Sequence, residues 1–357
     1  MELALGTEPT PRYLAFELAR GARTLIEDVM LVRPGETIVI TVDTSSDWRV
    51  AEATAQAAYA AGASPVVVWY ESRPDAVMEP PAPVAGAIAQ ADVWIEYAVG
   101  YILHTEAYKA ALERGCRYIC LTGMDVDMMV RTIAQVDYPK MIDLSHVLGQ
   151  AIANADEIHV TSPAGTDLRA HMGGRQIRYS GKIADTPGEP IMLGGQISFC
   201  PLEETINGVL VFDGAVWPPK DLGLLREPIR LTVEAGRVTR IEGGHQARVL
   251  ERWFASFDNP NIYRIAHYSL GFNPGVTRPT GRIVEDERVF GCIEFGIGSK
   301  GKQIGGPSWD AGGHTDGIVL NPSIYLDGEP LEIEGTYVRP EVVAICRELG
   351  VPEYTKG

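Results

Sequence analysis

On a β-strand, side chains two residues apart share a face. Gly312-Gly313-His314-Thr315-Asp316-Gly317-Ile318-Val319-Leu320 reads as a short strand entered from a glycine turn. His314 and Asp316 would then present an imidazole and a carboxylate side by side. Such a pair supplies two of the three ligands of a 2-His-1-carboxylate site, which holds non-haem Fe(II) and leaves coordination positions open. On a solvated face it would be an ordinary surface contact. The upstream segments favour the metal. His267 sits in Arg264-Ile-Ala-His-Tyr-Ser-Leu-Gly-Phe-Asn-Pro-Gly275, an apolar strand running into a turn. Glu294 sits in Phe290-Gly-Cys-Ile-Glu-Phe-Gly-Ile-Gly298, where a carboxylate is costly unless paired or metal-bound. The period of two puts Glu294 on one face with Cys292 and Gly296, and we expect that face to meet His267, His314 and Asp316.

Two further places could do chemistry. Glu203-Glu204 precedes the strand-like run Ile206-Asn-Gly-Val-Leu-Val-Phe212, so either carboxylate could serve as metal ligand, general base or solvated turn. His104 follows the run Asp92–Glu96, and open α/β sheets gather ligand-contacting groups beyond the carboxyl ends of their strands. His146, His159, His171 and His245 have no such setting and are read as structural.

These residues need two kinds of scaffold. The first 155 residues alternate apolar strand-like runs (37–42, 65–70, 92–96, 117–121) with helical stretches (11–32, 48–61, 84–90, 104–113, 125–134, 140–154). That alternation predicts a parallel sheet with helices on both faces. It carries neither a G-x-G-x-x-G after the first strand nor a P-loop. From Asp156 the character changes. Glu157-Ile-His-Val-Thr161 alternates polar and apolar, turn signals multiply, and 231–242 reads as a hairpin turning at Ala235-Gly236. Helices are expected only near 246–256 and 339–349. The fold class is therefore α/β: an N-terminal parallel-sheet α/β domain over 1–155 and a mainly antiparallel, β-rich metal-binding catalytic domain over 156–357.

Composition bounds the rest. The chain of 357 residues is 45% hydrophobic and 22% charged, as packed globular proteins are, and is long enough for two domains. A net charge of −16 argues against nucleic-acid and anionic-membrane partners and leaves a small-molecule substrate. Five scattered cysteines without a CxxC point to buried thiols in a reducing compartment. The start, Met1-Glu2-Leu3-Ala4, lacks a basic segment and apolar core, so a cytoplasmic protein is expected; a homo-oligomer is expected as well.

Four segments carry a family resemblance: Leu103-His104, Glu203-Glu204 before Asn-Gly-Val-Leu-Val, His267 before Leu-Gly-Phe-Asn-Pro, and His314-Thr-Asp316. Asn321-Pro-Ser-Ile-Tyr-Leu-Asp-Gly328 fits as well. The chain resembles, from about residue 35 to 345 and more weakly in its first half, the family joining metallo-aminopeptidases of the aminopeptidase T type to 2,5-dihydroxypyridine 5,6-dioxygenase. The aminopeptidases hold two divalent ions and normally have glutamate at the position of His267. The dioxygenase has histidine there. The resemblance thus implies an Fe(II) enzyme that opens a hydroxylated (hetero)aromatic ring, with His267, His314 and Asp316 as ligands and His104 as acid–base. The alternative it implies is a metallohydrolase of aminopeptidase or amidase type. That enzyme would hold one or two Zn, Mn or Co ions, with Glu294 as a further ligand and Glu203 or Glu204 as base. A non-enzymatic binding module is a third reading. Two departures stand out. Glu294 replaces an apolar residue of the dioxygenase, and Glu189-Pro-Ile-Met-Leu193 lacks the histidine that faces the dioxygenase's substrate.

Overall fold

The structure is a computed structural model, and it describes residues 13–74 and 78–355. The chain forms two compact units. One runs to Gln135 and takes back Ile183–Pro190; the other holds Val136–Lys182 and everything from Ile191 onward. The sequence reading divided the chain at 155/156. The difference is the helix Tyr138–Ala153, which packs against the helix Pro340–Glu348 of its own unit.

In the first unit β1 (Thr37–Asp43), β2 (Ser64–Tyr70), β3 (Val93–Glu96) and β4 (Arg117–Cys120) pair in parallel, in the order β2-β1-β3-β4. The helix α1 (Ala15–Thr24) precedes β1, and α2 (Trp48–Ala60), α3 (Ala82–Ile88) and α4 (Glu106–Glu113) connect successive strands. Two of them start at side-chain caps: for α2 Asp47 accepts from the Arg49 N–H, and for α4 Thr105 accepts from the Tyr108 N–H at 3.2 Å. Gly62, at φ 83, closes α2 in a conformation that favours glycine. The helix expected over 11–32 is shorter. It is α-helical over Ala15–Thr24 and ends in a π-turn over Leu25–Val29, while residues 11 and 12 lie outside the described residues. A similar π-turn, Val130–Ala134, ends the stretch 125–134.

The second unit contains two sheets whose recorded pairings within the unit are antiparallel. In the eight-stranded sheet, Glu157–Thr161 buries alternate residues as its pattern predicts. The hairpin Ile229–Glu234/Arg237–Glu242 turns through Ala235 (φ 47) and Gly236 (φ 72), as expected of a two-residue turn. The six-stranded sheet bears on function. Its central strands are Ile265–Gly271, Cys292–Lys300 and Trp309–Val319, with Gln196–Phe199 beside the first and Ala215–Trp217 beside the last.

The Cys292–Lys300 strand shows why this sheet can carry a site. Ile293, Phe295 and Ile297 are fully buried on one face. There Phe295 meets Tyr268 at 4.5 Å between ring centroids, and Tyr268 meets Phe199 at 5.7 Å. Such aromatic pairs add ~0.5–1.5 kcal/mol each beyond their burial. Phe212 packs over Gly317, where a Cβ would lie 2.3 Å from the ring. The opposite face of the same strand presents Glu294, Gly296 and Gly298. An apolar core on one face therefore fixes the register of the polar face.

None of the five cysteines forms a disulfide, and all five are buried. No described helix is long and apolar enough to cross a membrane.

Candidate metal centre

Residues paired across neighbouring strands point to the same face, so the register maps the site in rows. One row runs His267, Gly296, Asp316. The next runs Arg178, Ser198, Ser269, Glu294, Ile318. His314 lies opposite Gly298, two residues before Asp316 on the same strand. Glycines at 296 and 298 keep the middle of this face open. A Cβ on Gly296 would lie 2.2 Å from Nε2 of His267, whose ring passes over that position.

The strands bring His267, His314 and Asp316 together, with one ligand atom of each within 4.8 Å of the others. The two Nε2 atoms are 3.1 Å apart, and Asp316 Oδ1 lies 2.9 Å from His314 Nε2 and 3.5 Å from His267 Nε2. Outer groups fix which nitrogen faces inward. His314 Nδ1–H donates to the Ser299 carbonyl at 2.8 Å. His267 Nδ1–H donates to Ser269 Oγ at 3.2 Å, and that hydroxyl donates to Ser198 Oγ at 2.9 Å. Both Nε2 lone pairs are then left for the centre, the usual arrangement of metal-bound histidines.

The electrostatics agree. Burial, then the His314 charge, drives the His267 pKa down to about 3, against the pull of Asp316, so its imidazole is neutral. Burial would raise the Asp316 pKa, but the charge and hydrogen bond of His314 outweigh it and hold the carboxyl at about 2. His314 is raised, because Asp316 outweighs burial. Two acceptor nitrogens and a carboxylate oxygen aimed at one point repel unless a cation lies between them. A proton on His314 is one such cation and a divalent metal another. The donor set suits a metal that takes imidazole and carboxylate.

Glu294 is fully buried, with Oε2 3.5 Å from His267 Nδ1. Neither of its oxygens has a partner at hydrogen-bonding geometry, and Asp316 and Ser269 are polar neighbours. Burial, then the charges of Asp316 and Glu287, pushes its pKa well up. Glu294 thus stands behind the ligand group, outside the cluster of ligand atoms. Glu287, raised to about 7 chiefly by burial, accepts from Gln196 Nε2 at 3.0 Å and Arg288 Nη1 at 3.1 Å.

Glu203 and Glu204 are not brought into this group. Glu203 is buried, and its two oxygens accept from Arg175 at 2.8 Å and from Lys300 at 2.6 Å. Glu204 is exposed in the same one-turn helix, Glu203–Thr205. His104 belongs to the first unit, where it is exposed at φ 73 in the turn before α4 and meets Tyr108 edge-on at 5.9 Å. His159 pairs with Asp167 at 2.8 Å and stacks on Tyr325.

The sequence reading missed Ser198, Ser269, Gln196 and Glu287. Ser269 could have been found by the two-residue period applied to His267. Gln196 and Glu287 become neighbours of the centre only when distant strands and turns assemble.

A fold of two such units is known. The chain superimposes on the structure of 2,5-dihydroxypyridine dioxygenase from Pseudomonas putida KT2440 with a TM-score of 0.76, at 22% identity over 93% of this chain and 99% of that one. It superimposes on wild-type AmpT from Thermus thermophilus with a TM-score of 0.67, at 14% identity over 91% and 100%. In sequence it is 27% identical over 257 residues to the 2,5-dihydroxypyridine 5,6-dioxygenase of Pseudomonas putida, covering 67% of this chain and 69% of that protein. The family model NicX, 2,5-dihydroxypyridine 5,6-dioxygenase, matches residues 27–339. The chain belongs to this family of enzymes.

Proposed function

We propose that the protein is a mononuclear Fe(II) dioxygenase that cleaves the ring of a hydroxylated aromatic or heteroaromatic substrate such as a dihydroxypyridine. The carrying observation is that two imidazole nitrogens and one carboxylate oxygen converge in a chain of this family. His267, His314 and Asp316 would hold the iron. Iron(II) in that set supplies the one-electron and O₂ chemistry that side chains lack. Ser269 and the Ser299 carbonyl hold the two imidazoles in the binding tautomer. The ligand-bearing face is half-buried, which limits water around the reacting ring. By the family resemblance, His104 would take the proton of a ring hydroxyl on its imidazole.

The hydrolase reading asks for more ligands. A second ion needs carboxylates, and Glu203 is engaged by Arg175 and Lys300. Glu287 is engaged by Gln196 and Arg288, and Glu294 lies outside the group of three converging atoms, which favours one metal. Oxygen uptake by the Fe(II)-loaded protein with a panel of hydroxypyridines and catechols tests the proposal. Uptake coupled to loss of ring absorbance is expected, and is abolished in Asp316→Ala. Peptide or amide hydrolysis without oxygen uptake would contradict it.

A further inference from the structure

The loop after β3 is braced from within. Glu96, the last residue of β3, is fully buried. Its Oε1 accepts the Ile102 N–H at 2.6 Å, the Leu103 N–H adds to the same carboxylate, and Oε2 accepts the Tyr118 hydroxyl. Two of these three donors are the backbone groups leading directly into His104. Other strand ends grip the same loop. Asp43, at the end of β1, accepts the Gly100 N–H at 3.0 Å, and Thr122, just past β4, donates to the Ala98 carbonyl at 2.6 Å. Below the loop the rings form a chain: His104 meets Tyr108 at 5.9 Å, Tyr108 meets Tyr118 at 5.2 Å, and Tyr118 meets Trp94 at 4.4 Å.

Burying a carboxylate is expensive, and a fold keeps one where its hydrogen bonds hold something in place. Here the thing held is a non-glycine residue in the left-handed region, a conformation that persists only when its surroundings impose it. We propose that Glu96 is a positioning residue that fixes the backbone of residues 102–103 and thereby the orientation of the His104 imidazole. This rests on the acid–base role given to His104 above. Glu96 touches no substrate; it acts through the loop, as supporting hydrogen bonds do at preorganised sites.

The test pairs turnover with an NMR signal from the His104 ring. Glu96→Leu removes all three acceptor contacts, and its His104 Cε1–Hε1 resonance is expected to broaden or split. Its kcat is expected to fall about 10- to 100-fold with KM little changed, the cost of a misplaced group. Glu96→Gln keeps an oxygen for the Ile102 N–H and should restore a single sharp resonance and most of the turnover. If Glu96→Leu does not fold, Tyr118→Phe carries the test with a smaller effect in the same direction. A folded Glu96→Leu, or failing that Tyr118→Phe, with an unchanged His104 signal and unchanged kcat would overturn the proposal. His104→Ala with wild-type turnover would instead remove the acid–base reading, while the NMR signal still decides whether Glu96 holds the loop.

Discussion

The imidazole of His267 lies over Gly296, so close that a Cβ there would meet Nε2 at 2.2 Å. A methyl group at 296 cannot share that space, and the histidine ring must leave. Gly296→Ala should therefore weaken metal binding by ~100-fold or more, as loss of a ligand does. The apolar face of the sheet should remain folded. Metal titration by calorimetry, alongside circular dichroism, checks both halves; full metal affinity in this variant would refute the geometry.

Ser269 connects His267 to Ser198 and leaves Nε2 facing inward. Ser269→Ala should lower metal affinity by ~10- to 100-fold, while Ser269→Thr, which keeps the hydroxyl, recovers most of it. Equal affinity in the alanine variant would mean that the hydroxyl does not set the tautomer.

Glu294 separates the one-metal from the two-metal site. Glu294→Leu should leave one iron per chain bound. It should also raise the stability of the metal-free protein by ~1–3 kcal/mol, because a buried carboxylate without a hydrogen-bond partner is removed. Loss of a bound ion on this substitution would make Glu294 a ligand and restore the hydrolase alternative. Metal analysis and denaturant melts decide it.

Glu96 predicts a pH dependence of stability. Burial, opposed by its hydrogen bonds, raises its pKa from 4.5 to about 7. Between those values the folded state holds a proton that the unfolded state has released. The contribution to stability is therefore full below pH 4.5 and lost as pH rises through about 7. That difference corresponds to a contribution on the order of 3 kcal/mol. Glu96→Gln cannot ionise, so its stability relative to wild type should rise by about that amount between pH 4 and pH 8. Parallel stability curves for the two proteins would contradict the assignment.

Much of this was legible in the chain, for physical reasons that also mark where legibility stops. Period-two alternation placed His314 with Asp316, and Glu294 with Gly296, because an apolar core on the other face leaves a strand no choice of register. The parallel strands of the first half were legible for a different reason: strand-like runs alternate with helical stretches, and strands joined by helical crossovers pair in parallel. What the pattern could not show depended on partners far away in sequence. Glu203 is anchored by Lys300, 97 residues on, and nothing in Pro201-Leu202-Glu203-Glu204 announces that cation. The helix Tyr138–Ala153 shows an apolar stripe whichever unit it joins, so its pattern could not say that it packs on Pro340–Glu348. Ser198 and Ser269 are 71 residues apart and meet only once the sheet forms.

The proposed centre is one iron held by His267, His314 and Asp316. Anaerobic titration of the metal-free protein with Fe(II), followed by metal analysis after desalting, measures it most directly. One Fe(II) per chain is expected in the wild type, and none retained in His314→Ala or Asp316→Ala. Two ions per chain, or unchanged iron in either variant, would contradict it.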